Sequence, residues 1–136
     1  MNIFIGVFGL VLLSLAACTF PTKNKSKIEA LHPDICAPYM NGLFTNEAGN
    51  YRVLRNGNSQ IEYDLSTETE YHFEVHWLYN CAYNLIFKHS TNPSDTFMLK
   101  ENDKMRIQFT DIVNDTISYQ VEFKDQIFES KLIKLE

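Results

Sequence analysis

The sequence contains no concentrated basic segment and no recognisable catalytic motif. Its 136 residues include 12 Lys and Arg against 17 Asp and Glu, for a formal net charge of −5. A protein that binds a phosphate backbone needs clustered cations, so this balance argues against nucleic acid as a partner. The serines lie in predicted turns or at polar strand positions without the surroundings of a nucleophile. We therefore expect no catalytic residue and no cofactor.

The first 17 residues carry no charge at all. Residues 3–17 form an apolar run that ends in Leu15, Ala16, Ala17 and Cys18, which resembles the bacterial lipobox. A membrane-spanning helix needs about 20 residues, and an apolar run at the N-terminus is typical of an export signal. The sequence therefore predicts a lipoprotein signal peptide over residues 1–17 and lipidation of Cys18, such as palmitate attachment. An ordinary secreted protein or a short anchor is the first alternative, and a buried core segment is the second.

Residues 18–35 are predicted to be a tether between the lipid and a folded domain. The stretch is polar over residues 19–26 and contains Pro21 and nearby lysines. Ser26 and Glu29 have the spacing of a capping box, which predicts a short helix over residues 27–32 that ends at His32-Pro33.

Residues 36–136 are predicted to form one all-β domain, centred on residues 71–87. From Tyr71 to Trp77 the odd positions are apolar and the even positions are Glu or His, which is the period of a strand with one buried face. We predict a hairpin with residues 78–80 as its connection and Cys81 opposite Trp77. The even-numbered Ile86 should then lie on the outer face, near His72.

The same odd-numbered apolar pattern extends to most of the remaining strands. Loops of three residues, 56–58 and 66–68, would preserve the pattern through residues 51–65. A bulge is predicted near residues 111–113, before a turn at Asn114-Asp115. A two-residue turn at Lys124-Asp125 should move the apolar positions of the last strand to even numbers. The predicted strands cover residues 43–44, 51–55, 59–65, 71–77, 81–87, 96–100, 105–110, 117–123 and the C-terminal segment.

About eight or nine short antiparallel strands with short loops indicate an up-and-down meander. A sheet of that length curls or closes, so we predict a lipocalin-like barrel or a strongly curled sheet. A β-sandwich is the alternative fold.

Three spacings resemble those of one family of small bacterial proteins. They are Cys36-x2-Tyr39-x2-Gly42-x-Phe44, Arg55-x4-Gln60-x-Glu62 and Trp77-x3-Cys81-x-Tyr83-x-Leu85. Members of that family often carry the label DNA topoisomerase IV, and the family implies no established activity. The label cannot describe this chain, because 136 residues leave no room for a DNA gate and the acidic charge opposes DNA.

If Cys18 takes lipid, Cys36 and Cys81 remain as a pair in an oxidising compartment. A disulfide between them is the leading interpretation. Two buried free thiols, or a redox or metal site, are the alternatives.

The predicted inner face is rich in aromatic side chains. An eight-stranded barrel can hold one small ligand or fill its interior with side chains. A solid core and a pocket for an apolar ligand are both open interpretations. The candidate ligand-lining residues are Tyr63, Tyr71, Phe73, Trp77, Tyr83, Phe109 and Tyr119.

His72, Glu74 and His76 share the outer face of one predicted strand and are weak candidates for a metal site. Two outer histidines are more typical of a solvated strand face. We expect an exported, lipid-anchored protein of the cell envelope that acts as a binding or structural module and has no enzymatic activity. Its expected partners are the membrane, through the lipid, and an envelope protein or a small hydrophobic ligand. A carrier of such a ligand is the alternative function, and a hydrolase or a metal-binding protein comes after it.

Overall fold

Alternating apolar side chains close this chain into a barrel. The computed structural model describes residues 31–79, 81–92 and 99–136. Within them a short helix, α1 (Pro33–Cys36), and a 3-10 helix (Ala37–Tyr39) precede eight strands. The strands are β1 (Gly42–Thr45), β2 (Tyr51–Asn56), β3 (Ser59–Asp64), β4 (Thr69–Trp77), β5 (Ala82–Ser90), β6 (Lys104–Val113), β7 (Thr116–Phe123) and β8 (Gln126–Lys134).

Each strand pairs antiparallel with the next one along the chain, and β8 pairs with β1 to close the barrel. The closing pairs are Phe44 with Lys134 and Thr45 with Ile133. The predicted barrel is therefore confirmed, and the alternative β-sandwich is wrong. Of the additional strand predicted over residues 96–100, residues 96–98 lie outside the described part of the chain. Leu99 and Lys100 are not in a strand, although Leu99 is buried.

The meander gives the barrel two distinct ends. Because neighbouring strands are antiparallel, the β2–β3, β4–β5 and β6–β7 connections lie at one end, together with α1, the 3-10 helix and the last residues of the chain. We call this the closed end. The β1–β2, β3–β4, β5–β6 and β7–β8 connections lie at the opposite end.

Most of the predicted alternation is confirmed. On β4 to β7 the odd-numbered apolar side chains point inward, and on β8 the buried Leu132 and half-buried Phe128 are even-numbered. The turn at Lys124-Asp125 produces this change: both residues have positive φ, and Phe123 pairs with Gln126. A bulge is present on β6, but it lies earlier than predicted, as a register shift between Phe109 and Asp111, whereas Ile112 and Val113 pair regularly with β7.

Strand β3 is inverted with respect to the prediction, in the sense that the opposite set of side chains points into the barrel. The β2–β3 turn has two residues, Gly57 and Asn58, so Arg55 pairs with Gln60 and Val53 with Glu62. Gly57 adopts φ +61°, a conformation that favours glycine in such a tight turn. The predicted three-residue loop is therefore wrong.

The β3–β4 connection has four residues, 65–68, rather than the predicted three, because Asp64 pairs with Thr69. Its even length restores the odd-numbered inward positions on β4. As a result, β3 is the one strand between β2 and β7 that turns its even-numbered side chains, Gln60, Glu62 and Asp64, into the barrel.

The hairpin of β4 and β5 differs from its prediction in the loop. Trp77 pairs with Tyr83 rather than with Cys81, which lies in the connection with φ +62°. Ile86 lies half-buried on the outer face as predicted, but opposite Glu74 rather than near His72. A register shift between His72 and Phe73 accompanies this pairing.

The N-terminal helix begins where the sequence predicted an end. Pro33 occupies the first turn of α1, where a missing N–H costs nothing. The side chain of His32 caps the helix by accepting a hydrogen bond from the Asp34 backbone N–H at 3.3 Å. Of the helix predicted over residues 27–32, only residues 31 and 32 are described, and they are not helical.

Candidate functional site in the barrel interior

A single arginine lies at the centre of the interior near the closed end. Arg55 points inward from β2 and is 1% exposed. Its Nε donates to Gln60 Oε1 at 2.8 Å, one terminal nitrogen donates to the Tyr39 backbone carbonyl at 2.8 Å, and the other donates to the Tyr83 hydroxyl at 2.8 Å. All three guanidinium nitrogens are therefore bonded, as a buried charge requires.

Aromatic rings surround the same guanidinium. Its central carbon lies between 4.8 and 6.0 Å from the centroids of four rings, which is within the range of cation–π attraction. The rings belong to Phe44, Trp77, Tyr83 and Phe109. We call this group the Arg55 cage.

Gln60 links Arg55 to a buried carboxyl group. Its side-chain amide accepts from Arg55 through Oε1 and donates from Nε2 to Glu62 Oε1 at 2.8 Å. The other carboxyl oxygen, Oε2, accepts from the Tyr51 hydroxyl at 3.2 Å. Burial raises the pKa of Glu62 to about 7, while the bonds from Gln60 and Tyr51 and the charge of Arg55 hold the pKa below what burial alone would produce.

Asp64 lies on the same inward-facing side of β3 as Gln60 and Glu62, further toward the opposite end of the barrel. Its Oδ1 accepts hydrogen bonds from the backbone N–H and the hydroxyl of Ser66, which stabilises the β3–β4 turn. Its Oδ2 is buried and has no hydrogen-bond partner among the described residues. An unpaired buried carboxyl oxygen is costly, because it loses its hydration without gaining a hydrogen bond.

Tyrosine hydroxyls complete the polar interior. Burial raises the pKa of Tyr51, and the negative charges of Glu62 and Asp64 raise it further. Burial also raises the pKa values of Tyr83 and Tyr119, and the charge of Arg55 opposes both shifts. Ser130 lies opposite Tyr119 in the neighbouring strand. These phenols are protonated and act as neutral hydrogen-bonding groups.

The segment from α1 to β1 closes the barrel over the Arg55 cage. A disulfide joins Cys36 of α1 to Cys81 of the β4–β5 connection, with the two Cα atoms 5.6 Å apart, so the predicted bridge is confirmed. The Tyr39 hydroxyl donates to the Asn114 carbonyl at 2.8 Å, and Asn41 Oδ1 accepts from the Gly57 N–H at 2.7 Å. The segment is thus attached to all three connections of the closed end.

The structure brings most of the candidate ligand-lining residues together. Tyr71, Phe73, Tyr83, Phe109 and Tyr119 are buried in the core. Trp77 is half-buried at the closed end, with its ring centroid 4.7 Å from that of Tyr83. Tyr63 is a correction: it lies on the outer face of β3, opposite Arg52, because β3 is inverted.

The weak metal candidates are separated into pairs. His72 Nε2 lies 2.9 Å from Glu70 Oε2, and His76 pairs with Glu74, which also bonds Lys88 at 3.0 Å. These bonds from Lys88 and His76 lower the pKa of Glu74. Over residues 31–79, 81–92 and 99–136, no group of three or more potential ligands converges.

Alternation of apolar residues does not identify Arg55, Gln60, Glu62 and Asp64 as interior residues. A signal was present, because the spacing Arg55-x4-Gln60-x-Glu62 was one of the three that carried the family resemblance. The other two supply the disulfide and the aromatic members Phe44, Trp77 and Tyr83 of the Arg55 cage. All three motifs therefore meet at the closed end.

Comparison with protein-family models and with curated proteins finds no match to this chain. Cys18 lies outside the described residues, and within the described part of the chain no helix is long and apolar enough to cross a membrane.

Proposed function

We propose that this protein is an exported, lipid-anchored domain of the cell envelope that acts as a binding or structural module without catalysis. The observation that carries the proposal is the disulfide between Cys36 and Cys81. Disulfides persist in oxidising compartments outside the cytoplasm, and small exported domains use them to supplement a limited core.

The chemistry of the interior supports a structural role for the Arg55 cage. Arg55, Gln60 and Glu62 use their polar atoms to bond one another, Tyr39, Tyr51 and Tyr83. A charge held in this way fixes side chains in place, because each guanidinium nitrogen of Arg55 already donates a hydrogen bond to another part of the protein. The bond to Tyr39 also couples the interior to the segment that closes the barrel.

Localisation is tested by fractionating cells that express the full chain and labelling them with radioactive palmitate. We expect label on the protein in the membrane fraction, and loss of both the label and membrane attachment in Cys18→Ala. An unlabelled protein in the cytosolic fraction would contradict the proposal. The binding role is tested by native mass spectrometry of protein extracted from its own membrane, which would reveal a bound partner.

A second candidate function, a carrier of a small hydrophobic ligand, is favoured by Asp64. Its Oδ2 is buried, has no hydrogen-bond partner among the described residues and lies in the half of the interior toward the opposite end. A ligand with one hydroxyl or ammonium group and an apolar body would pair with that oxygen and cover the aromatic side chains. The expected result is a small-molecule adduct in the native mass spectrum that disappears in Asp64→Asn but remains in Asp125→Asn, which changes an exposed turn residue.

A further inference from the structure

The closed end of the barrel exposes a ring of apolar side chains. Tyr79 is 74% exposed and Val113 is 59% exposed, and three further large apolar residues at this end are also exposed. At the opposite end, the exposed large apolar residues among those described are Leu65 and Ile127. We call the first group the apolar rim: Ile35, Leu78, Tyr79, Val113 and Leu135.

Covalent and hydrogen-bonded links hold the apolar rim on one face. Ile35 precedes Cys36, whose disulfide to Cys81 attaches α1 to the connection that carries Leu78 and Tyr79. The hydroxyl of Tyr39 bonds the carbonyl of Asn114, next to Val113. The Leu135 N–H donates to the Leu43 carbonyl at 2.7 Å, which brings the C-terminus to the start of β1. The rim therefore belongs to a fixed surface.

The N-terminal part of the chain also joins the barrel at the closed end. Leu31, the first described residue, packs against the core, and α1 follows it directly. The predicted lipid site, Cys18, precedes Leu31 by 31 − 18 = 13 residues, which span at most about 45 Å when fully extended. A tether fixed at the closed end brings that end nearest to the membrane.

The tether also suits an anionic membrane surface. It contains Lys23, Lys25 and Lys27 within five residues. A juxtamembrane lysine contributes about 1 kcal/mol of attraction to anionic lipid headgroups. Exposed Leu, Ile and Val side chains gain by leaving water, and tyrosine prefers the interface between headgroups and water.

We propose that the closed end is a membrane-docking surface, in which the apolar rim rests in the headgroup region of the bilayer that holds the lipidated Cys18. The proposal rests on the proposed lipid anchor and goes beyond it, because an anchor alone sets no orientation. Docking through the rim directs the opposite end, toward which Asp64 lies, away from the membrane. A ligand or an envelope protein would then meet that end from the aqueous side.

The test uses the full-length protein purified from its own membrane and reconstituted into phosphatidylethanolamine–phosphatidylglycerol vesicles with brominated acyl chains. Bromine quenches tryptophan only at short range, and Trp77 is the single tryptophan of the sequence and a common background. Tyr79→Trp adds a reporter on the apolar rim, and Leu65→Trp adds a matched reporter in an exposed connection at the opposite end. Val113→Trp is a second rim reporter if the first variant folds poorly.

After subtraction of the Trp77 emission measured on the same vesicles, we expect the emission added by Tyr79→Trp or Val113→Trp to be largely lost on brominated vesicles and to persist on unbrominated ones. The emission added by Leu65→Trp should be unaffected by bromine. An equal fractional loss of the added emission for the rim and opposite-end reporters on brominated vesicles would overturn the docking. The apolar rim would then be a surface for a protein partner or a second copy of the chain. Mass spectrometry of the same sample tests the lipid anchor at Cys18 separately from the docking of the apolar rim. Acylated protein with an unquenched rim refutes docking alone, whereas protein without acyl chains refutes the anchor as well.

Discussion

The guanidinium of Arg55 donates to the backbone carbonyl of Tyr39 at 2.8 Å, so the barrel interior is bonded directly to the segment that closes it. The same arginine holds Gln60 and Tyr83. One buried charge therefore ties together the N-terminal segment, β2, β3 and β5.

Arg55→Ala should lower the free energy of unfolding by about 3–5 kcal/mol, because it removes one member of a buried, hydrogen-bonded charge network. Gln60 Oε1, the Tyr83 hydroxyl and the Tyr39 carbonyl would each lose a donor. Urea denaturation followed by Trp77 fluorescence measures the change. Arg106→Ala, an exposed arginine on β6, is the control and should stay within about 0.5 kcal/mol of the native protein. Equal stability of the two variants would contradict the role given to Arg55.

Glu62 should make stability depend on pH. Its pKa of about 7 in the folded protein lies above the ordinary value of 4.5, so the folded state holds the proton more tightly than the unfolded state. The stabilisation is fully present below about pH 4.5 and is lost as the pH rises through about 7, a total of about 3 kcal/mol.

The measurement is the urea midpoint of the native protein and of Glu62→Gln from about pH 4 to about pH 8. Glu62→Gln should remove this part of the pH dependence, because a neutral amide cannot titrate. Glu122→Gln, at an exposed position of β7, should keep the native profile. Parallel profiles for native protein and Glu62→Gln would show that Glu62 does not titrate in this range.

The disulfide closes a loop with a sequence separation of 45 residues. In the loop-entropy model, such a bridge stabilises the folded protein by about 4 kcal/mol. The double variant Cys36→Ser, Cys81→Ser should lose that amount in urea denaturation, and reduction of the native protein should produce a similar loss. Hydrogen exchange should also accelerate in residues 31–41. Unchanged stability after reduction would refute the closure role.

The inversion of β3 can be tested with matched isoleucines. Ile61 is half-buried on the outer face of β3, whereas Ile117 is fully buried on the inner face of β7. Ile117→Ala should cost about 2–5 kcal/mol as a core truncation, and Ile61→Ala should cost clearly less. Equal costs in urea denaturation would favour the register in which Ile61 points inward.

The sequence predicted the barrel and most of its core because the interior of β4 to β8 is apolar. Side-chain alternation then identifies the buried face without any knowledge of tertiary contacts, as for Phe73 and Val121. The disulfide followed from the number of cysteines left after Cys18. Both features can be predicted from a local pattern or from a count of residues.

The register of β3 could not be predicted in this way. The rule that apolar residues face inward favoured Ile61 and Tyr63, whereas the folded protein buries Gln60 and Glu62 instead. Those two side chains become acceptable inside because Arg55 and Tyr51 bond them. Tyr83, another partner of Arg55, lies 28 residues away in the sequence. Alternation within one strand contains no information about such partners.

The central claim, an exported lipid-anchored domain closed by a disulfide, is tested most directly by the intact mass of the protein extracted from its own membrane under non-reducing conditions. The account predicts a chain that begins at Cys18, carries acyl chains on that residue and contains an oxidised Cys36–Cys81 pair. An unacylated chain that begins at Met1 and contains two free thiols at Cys36 and Cys81 would contradict it.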